Sequence, residues 1–202
     1  MVHERPKADR RLVQIVDAAL KENAARCGDW LACRPGCFQC CLGVFEISQL
    51  DAVRLRDGLA ELERRDPKRA AAVRKRAEDS RRRLRESFPG NSWTGILNED
   101  EEAFAEFGND EVCPVLDPET GMCDLYEHRP MTCRVFGPPV WSDGGLGVCE
   151  LCFEGASEDE IIRCALVTNA EELESKITRD FELKSGRRGS TVVAWALLDL
   201  GE

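Results

Sequence analysis

Hydrophobic residues recur at helical spacing in the opening segment of the chain. Leu12, Ile15, Val16, Ala19 and Leu20 carry the pattern, and charged residues lie between them. Apolar positions repeated every three or four residues form one apolar face of a helix. The pattern predicts an N-terminal helix within residues 1–26.

Two more helices are predicted from residue 48 onward. Ser48 stands three residues before Asp51, which is typical of a capping box, and the apolar residues that follow recur at helical spacing. Pro67 suits the first turn of a helix, and the sequence predicts that this third helix runs to about Phe88.

The C-terminal third carries two further capping patterns. Ser157 precedes Glu160 by three residues, and Thr168 precedes Glu171 in the same way, so two short helices are predicted. The last apolar run, residues 192–198, fits a helix or a strand, and periodicity does not separate the two.

Two regions between these helices lack periodicity and are rich in cysteine: residues 27–43 and residues 113–152. The predicted fold is therefore mainly α, a small helical domain with two irregular cysteine-rich loops organised around a metal centre. The predicted organisation has three parts: an N-terminal helix 1–26, a cysteine-rich metal-binding core 27–155 with an inserted helical pair 48–88, and a C-terminal helical extension 156–202.

Charge narrows the range of partners. Charged residues make up 33% of the chain and the net charge is −10, which disfavours nucleic acid and anionic membranes as partners. The third predicted helix is strongly basic and residues 99–111 are strongly acidic. We expect the basic run to be a solvated face with an internal acidic partner; contact with RNA or an acidic protein is the weaker alternative.

The cysteines are the residues that say most about the chemistry of this chain. The chain has eleven, and its charged opening residues lack the apolar core of a secretion signal. No apolar run approaches the roughly 20 residues that span a bilayer, so we expect a cytoplasmic protein. Thiols are kept reduced in that compartment, which favours metal ligation over a disulfide framework.

Most of the cysteines are clustered. Four lie within nine residues, three more are spaced ten residues apart, and a C-x-x-C pair follows. In that order they are Cys33, Cys37, Cys40 and Cys41, then Cys113, Cys123 and Cys133, then Cys149 and Cys152. Thiolates suit Zn²⁺ and iron–sulfur clusters, and clustering in turn-rich loops favours ligation over simple packing.

The adjacent pair Cys40-Cys41 adds a constraint. Neighbouring side chains diverge, by about 100° on a helix and to opposite faces on a strand, so the two do not easily bind one tetrahedral ion. Either one of them is not a ligand, or the loop serves a polynuclear cluster or two centres. This favours an iron–sulfur cluster and leaves two zinc ions as the alternative.

The motif residues resemble a known family. The string from Cys33 to Cys41, CRPGCFQCC, and the segments CPVLD from Cys113 and GMCDLYEHRPMTCRVF from Gly121 are similar to the CxxCxxCC family, a YkgJ-like group of zinc- or iron-chelating bacterial proteins. A similar block occurs in larger proteins, such as flagellin lysine N-methylase, that modify other proteins. The resemblance covers roughly residues 33–152.

The resemblance implies a set of eight metal ligands: Cys33, Cys37, Cys40, Cys41, Cys113, Cys123, Cys133 and Cys149. Cys27 and Cys152 fall outside the pattern. The first interval, C-x-x-x-C, is one residue longer than in the family. Either Cys33 is not a ligand, or Pro35-Gly36 bulges to restore the geometry.

Residues near the cysteines have two interpretations each. Arg129 and Arg134 either stabilise the negative charge of the thiolates or pair with the acidic segment. His128 lies between two charged residues and is expected to be exposed rather than a ligand. No catalytic residue stands out, so the sequence does not decide whether the protein is an enzyme.

We expect a protein with an iron–sulfur cluster, such as 4Fe–4S, that acts in electron transfer, redox sensing or as an accessory to a modifying enzyme. The alternative is a structural zinc module that docks a protein partner. A thiol–disulfide enzyme that uses Cys149 and Cys152 is a third interpretation, disfavoured because no strand and helix frame this motif.

Overall fold

The fold is mainly α, as the sequence predicts. The computed structural model describes residues 5–98, 101–142, 145–168 and 170–198. In these residues the helices are α1 Lys7–Cys27, α2 Gln49–Arg65, α3 Pro67–Leu84, α4 Glu101–Ala105, α5 Met131–Val135, α6 Glu158–Arg163, α7 Ala170–Ser185 and α8 Val193–Ala196. Strands β1 Gly90–Asn91 and β2 Ile96–Leu97 form one antiparallel pair, and β3 Val140–Ser142 and β4 Gly145–Gly147 form another. None of the described helices is long and apolar enough to cross a bilayer.

The helix starts follow the capping signals in the sequence. The Ser48 hydroxyl accepts a hydrogen bond from the Asp51 N–H at 3.1 Å, and the Asp51 carboxylate accepts one from the Ser48 N–H at 3.2 Å. The same reciprocal box, formed by Ser157 and Glu160, starts α6. The reciprocal bonds satisfy N–H groups that a helix terminus leaves without an intrahelical partner.

One helix boundary differs from the sequence prediction, and the structure assigns one region for which the sequence left two alternatives. Helix α3 ends at Leu84, four residues before the predicted end, because the chain then turns into β1. The final apolar run forms the short helix α8 rather than a strand. It starts directly after Thr191, which pairs with Ile47 across an isolated antiparallel bridge.

The central core lies between α2, α3 and α8. Leu55, Leu59 and Leu62 of α2 meet Ala70, Val73 and Ala77 of α3, and α8 closes the cluster. The small side chains on α3 allow the two helices to approach closely. Burial of this apolar surface stabilises the frame on which the cysteine loops are mounted.

A second core joins the two ends of the chain. Leu12 and Val16 of α1 pack with Ile177 and Phe181 of α7, and Met131 at the start of α5 belongs to the same cluster. The segment that carries Cys133 is therefore packed against both flanking helices.

A buried charge cluster fixes α1 and α2 together. Arg54 is fully buried and donates to the carboxylates of Asp9 on α1 and Asp51 on its own helix. Asp51 also accepts a hydrogen bond from the Met131 N–H at 2.9 Å. Removal of one member of this buried set would leave an uncompensated charge. Because Met131 is the first residue of α5, its hydrogen bond to Asp51 also fixes where α5 begins.

Candidate metal centre

The structure sorts the eleven cysteines into three neighbourhoods. The first group contains the adjacent pair and three cysteines remote in sequence: Cys40, Cys41, Cys113, Cys123 and Cys133. The second group contains Cys33, Cys37, Cys149 and Cys152. The third is the pair Cys27 and Cys164. The eight predicted ligands are therefore divided, five in the first group and three in the second.

The first group is connected through the adjacent pair. The thiols of Cys40 and Cys41 interact with each other, and the Cys41 thiol interacts with that of Cys113. The backbone N–H of Cys113 donates to the Cys41 carbonyl at 2.8 Å. Cys133 interacts electrostatically with Cys40, Cys41 and Cys123. Five thiols from four places in the sequence thus share one neighbourhood.

Local structure accounts for the position of the adjacent cysteines in the first group and for their different burial. Gln39–Cys41 forms a 3₁₀ turn, and the following residue, Leu42, pairs with Val112 in an isolated antiparallel bridge. That bridge brings Cys113 beside Cys41. A tight turn presents consecutive side chains in different directions, so Cys41 is buried and Cys40 remains partly exposed.

Helix α3 anchors two of the cysteine loops. The carboxylate of Asp124, next to Cys123, is almost fully buried and pairs with Arg69 and with Arg76, the latter at 2.6 Å. Arg76 also donates to the carbonyl of Pro114, next to Cys113, at 2.8 Å. One face of the basic helix therefore holds the loops of the first group in place.

The predicted internal partner of the basic helix is present in part. Arg83 of α3 pairs with Glu111, which belongs to the acidic segment. Glu99 and Asp100 of that segment lie outside the described residues. The main acidic partner of α3 is Asp124, which the sequence analysis did not single out.

The two arginines that flank Cys133 have different environments. Arg129 exerts a favourable charge effect on the thiolates of Cys40 and Cys123, and it stacks on the ring of Tyr126, 3.8 Å from the ring centroid. Arg134 is buried and donates to Asp17 of α1 at 2.6 Å and to the Glu127 carbonyl at 2.6 Å. Arg129 therefore favours the thiolate forms of Cys40 and Cys123, whereas Arg134 holds α5 against α1 through its hydrogen bond to Asp17.

His128 lies apart from the cysteines in the contacts observed. Its Nε2 atom lies 3.3 Å from a carboxylate oxygen of Glu61, and its ring packs against Gly58 of α2. The ring is partly buried rather than fully exposed as the sequence analysis expected.

The second group joins the first cysteine loop to a turn in the second. The thiol of Cys33 interacts with those of Cys152, Cys37 and Cys149. The Cys152 N–H donates to the Cys149 carbonyl at 2.8 Å, which closes the C-x-x-C turn. The Cys37 N–H donates to the Arg34 carbonyl at 2.9 Å, so residues 34–37 form a tight turn with Pro35-Gly36 at its centre.

The third group is a packing pair. The Cys27 thiol donates to the side-chain oxygen of Asn23 at 3.4 Å, and the Asn23 amide donates to the Cys164 carbonyl at 2.6 Å. Both cysteines are buried in a small apolar cluster that also contains Cys149 and Cys152 of the second group. They tie the end of α1 to the end of α6.

Several thiols of the first group hold their protons tightly. The hydrogen bond with Cys113 raises the pKa of Cys41 to about 12, and burial raises the pKa of Cys123 to about 11. Burial also raises the pKa of Cys133 well above its usual range. A metal must displace these protons, so its binding releases protons and weakens as pH falls.

The groups are neighbourhoods of thiols rather than finished coordination shells. Within the described ranges, no three cysteine, histidine or carboxylate side chains already converge on one metal position. The donor set nevertheless fits a soft metal, because each of the first two groups offers at least four thiols. Staggered χ1 rotations reorient a thiol without moving the backbone, and metal binding supplies the free energy that orders such loops.

Two features of this arrangement go beyond the sequence pattern. Cys152 lies with Cys33 in the second group, and whether it takes the place of Cys33 or Cys149 as a ligand stays an open alternative. The buried Asp124 with its arginines was not predicted, because the spacing of charges on α3 does not reveal which face meets a loop 50 residues away.

Comparison with known families agrees with the cysteine pattern. The family model CxxCxxCC, described as "Putative zinc- or iron-chelating domain", matches residues 32–143, more than half of the 202-residue chain. No curated protein and no solved structure matches the chain significantly. The chain belongs to the CxxCxxCC family of zinc- or iron-chelating domains.

Proposed function

We propose that this protein carries an iron–sulfur cluster of the 4Fe–4S type on its first cysteine group. A 4Fe–4S cluster needs four thiolate ligands, and the group offers five: Cys40, Cys41, Cys113, Cys123 and Cys133. The fifth thiol remains beside the cluster, where a hydrogen bond to a ligand sulfur tunes the reduction potential.

One observation carries this proposal. The adjacent cysteines Cys40 and Cys41 share a neighbourhood with three remote cysteines. Adjacent residues do not easily supply two ligands of one tetrahedral ion, whereas they are able to bind different iron atoms of a polynuclear cluster. The adjacency that disfavours a single zinc ion therefore supports a cluster.

The surroundings of the group also favour a cluster. Four cysteine thiolates leave net negative charge on an iron–sulfur centre, and the Arg129 guanidinium acts on two thiols of the group. The loops are fixed by the buried Asp124 carboxylate and its two arginine partners on α3. A nearby positive charge and loops fixed to a helix would support the cluster geometry in both redox states.

We further propose that the cluster exchanges electrons with, or senses, a protein partner that docks over the cysteine loops. Six exposed large apolar residues directly adjoin a cysteine in the sequence: Phe38, Leu42, Val112, Met122, Val148 and Leu151. Exposed apolar side chains next to a site are typical of interaction surfaces. This supports electron transfer, redox sensing or an accessory role for a modifying enzyme in the cytoplasm, where the thiols stay reduced.

A structural zinc module that docks a partner is the second candidate. An open groove of about 1570 Å³ lies beside Met131 and Thr132, close to Cys133 in the chain, and Glu46, Glu174 and Glu182 are among its lining residues. A preformed groove beside the start of α5 favours docking, whichever metal orders the loops.

The test is the cofactor content of protein purified without oxygen. We expect iron and acid-labile sulfide in equal amounts, about four of each per chain, and a broad visible absorbance that dithionite bleaches. Colourless protein whose first group holds only zinc would contradict the cluster and support the docking module.

Single cysteine-to-serine variants sharpen this test. Four of the five substitutions in the first group should abolish the cluster, and the remaining one should retain it with a shifted reduction potential. Cys27→Ser is the matched control, since Cys27 is a buried cysteine of the third group and its hydrogen bond to Asn23 is available to serine. Loss of iron in the control as well would point to general unfolding instead of ligation.

A further inference from the structure

The second cysteine group has the composition of a separate site. Two of its thiols, Cys33 and Cys37, come from a short turn in the first loop, and two, Cys149 and Cys152, come from the C-x-x-C turn. The latter two lie beyond residues 32–143, to which the family model extends. Neither pair contains adjacent cysteines, so each turn is able to present both thiols to one point.

Backbone and side-chain contacts clamp the two turns together. The Phe153 N–H donates to the Trp30 carbonyl at 2.8 Å, and the two rings stack with their centroids 6.2 Å apart. On the other side, the Gln39 amide donates to the Glu150 carboxylate at 2.6 Å. The C-x-x-C turn is therefore held at both its ends against the loop that contains Cys33 and Cys37.

Gly137 lies where the two turns meet. A Cβ atom on this residue would lie 2.6 Å from the sulfur of Cys33, and its carbonyl accepts a hydrogen bond from the Cys149 N–H at 3.3 Å. The Cys33 sulfur thus lies directly over the backbone that positions Cys149. Only a residue without a side chain permits this approach.

The residue after the C-x-x-C turn is conformationally strained. Phe153 has φ +60°, and among the described residues no other non-glycine residue has a positive φ. A bulky residue in the left-handed region persists only where its surroundings fix it, and such residues cluster at ligand sites. Here the strained residue directly follows Cys152 and is held by its hydrogen bond to Trp30.

We propose that Cys33, Cys37, Cys149 and Cys152 bind a single divalent metal ion, zinc, in a tetrahedral site separate from the iron–sulfur cluster. Two short turns with two thiolates each are the usual architecture of structural zinc sites. Zinc staples the first cysteine loop to the turn that precedes α6. This inference does not depend on the proposed cluster, because it uses other ligands and another metal.

The test measures zinc and iron together in the full chain. Wild-type protein purified without oxygen and incubated with ZnCl₂, then desalted, should retain about one zinc per chain that a weak chelator does not remove. Cys152→Ser should lose this zinc and retain its iron and visible absorbance. A serine variant of the first group that has lost its cluster should show the reverse, with iron absent and zinc retained.

Folding of the variants is controlled in two ways. Cys33 is exposed, so Cys33→Ser removes little packing and should lose zinc as Cys152→Ser does. Cys27→Ser changes the apolar cluster that contains Cys149 and Cys152 but removes no proposed ligand, so it should retain both metals. Substitution of Co²⁺ for zinc gives an independent readout, since tetrahedral thiolate cobalt has visible ligand-field bands that both second-group variants should lack.

Each outcome distinguishes this inference from the proposed function. Zinc content that is unaffected by Cys33→Ser and Cys152→Ser, or the absence of chelator-resistant zinc in the wild type, would overturn the second site. Protein without iron that still loses zinc on Cys152→Ser would sustain the second site and refute the cluster.

Discussion

The two cysteine groups lie in the same irregular part of the chain but are held by different physical means. The first group depends on long-range polar contacts to the helical frame, through Asp124 paired with Arg76 of α3 and through Met131 hydrogen-bonded to Asp51. The second depends on local turns, one aromatic stack and the close approach of Cys33 to Gly137.

This difference fits the roles proposed for the two groups. A group mounted on a helical frame would keep its geometry when charge changes, as an electron-transfer centre requires. The second group is held by turns and by contacts between its two loops, and the proposed zinc ion would order it further. Perturbing the frame should therefore affect the first group, and perturbing the turns should affect the second.

The largest effect is expected from Arg54→Ala. The substitution leaves the buried carboxylates of Asp9 and Asp51 without their cation, which should cost about 3–5 kcal/mol of unfolding free energy. Chemical denaturation measures this loss. Because Asp51 positions Met131, iron binding should fall before zinc binding does; equal loss of both metals in folded protein would contradict the comparison.

Asp124→Asn is expected to have the next largest effect. It removes the charge that holds Arg69 and Arg76 to the Cys123 loop and should destabilise the protein by about 2 kcal/mol, with weaker iron retention and normal zinc content. Glu63→Gln is the matched control. Glu63 of α2 pairs at an exposed position with Arg74, which lies on α3 like Arg69 and Arg76, so the substitution should leave the stability and the content of both metals unchanged.

Gly137→Ala perturbs the second group alone. The new methyl group would lie 2.6 Å from the Cys33 sulfur, so zinc affinity should fall at least tenfold, about 1.4 kcal/mol, while the iron content stays the same. Gly145→Ala is the control: Gly145 also has a positive φ, +112° against +125°, but no neighbouring atom lies within 4 Å of its added Cβ. Similar zinc loss in both variants would attribute the effect to backbone strain.

The smallest effect concerns the pH dependence of the frame. Burial, followed by repulsion from Asp51, raises the pKa of Glu174 to about 7. Folded protein therefore holds this proton more tightly than unfolded protein, whose glutamate pKa is about 4.3. The stabilising contribution of the protonated Glu174 carboxyl is fully present below about pH 4.3 and is lost as the pH rises to about 7.

Glu174→Gln should remove this loss and stabilise the protein at neutral pH by about 1 kcal/mol, a value discounted because the side chain is partly exposed. Thermal unfolding between pH 5 and 8 measures the effect. Glu172→Gln, at an exposed position of the same helix, should reproduce the wild-type profile. A wild-type profile in the Glu174 variant would contradict the assignment.

The helices could be predicted from the sequence because their signals are local. Ser48 with Asp51 and Ser157 with Glu160 form the capping boxes that their spacing predicts, and the helical class of the fold follows. The division of the cysteines could not be predicted in the same way. Cys37 and Cys40 are three residues apart but join different groups, since a 3₁₀ turn changes the chain direction between them. Cys152 joins Cys33 only through tertiary contacts.

The most direct test of the account is the simultaneous measurement of iron, acid-labile sulfide and zinc in the wild-type chain purified without oxygen. The account predicts about four iron and four sulfide atoms together with about one zinc ion per chain. Zinc alone at two equivalents, with no sulfide and no visible absorbance, would contradict the cluster and make both cysteine groups structural sites.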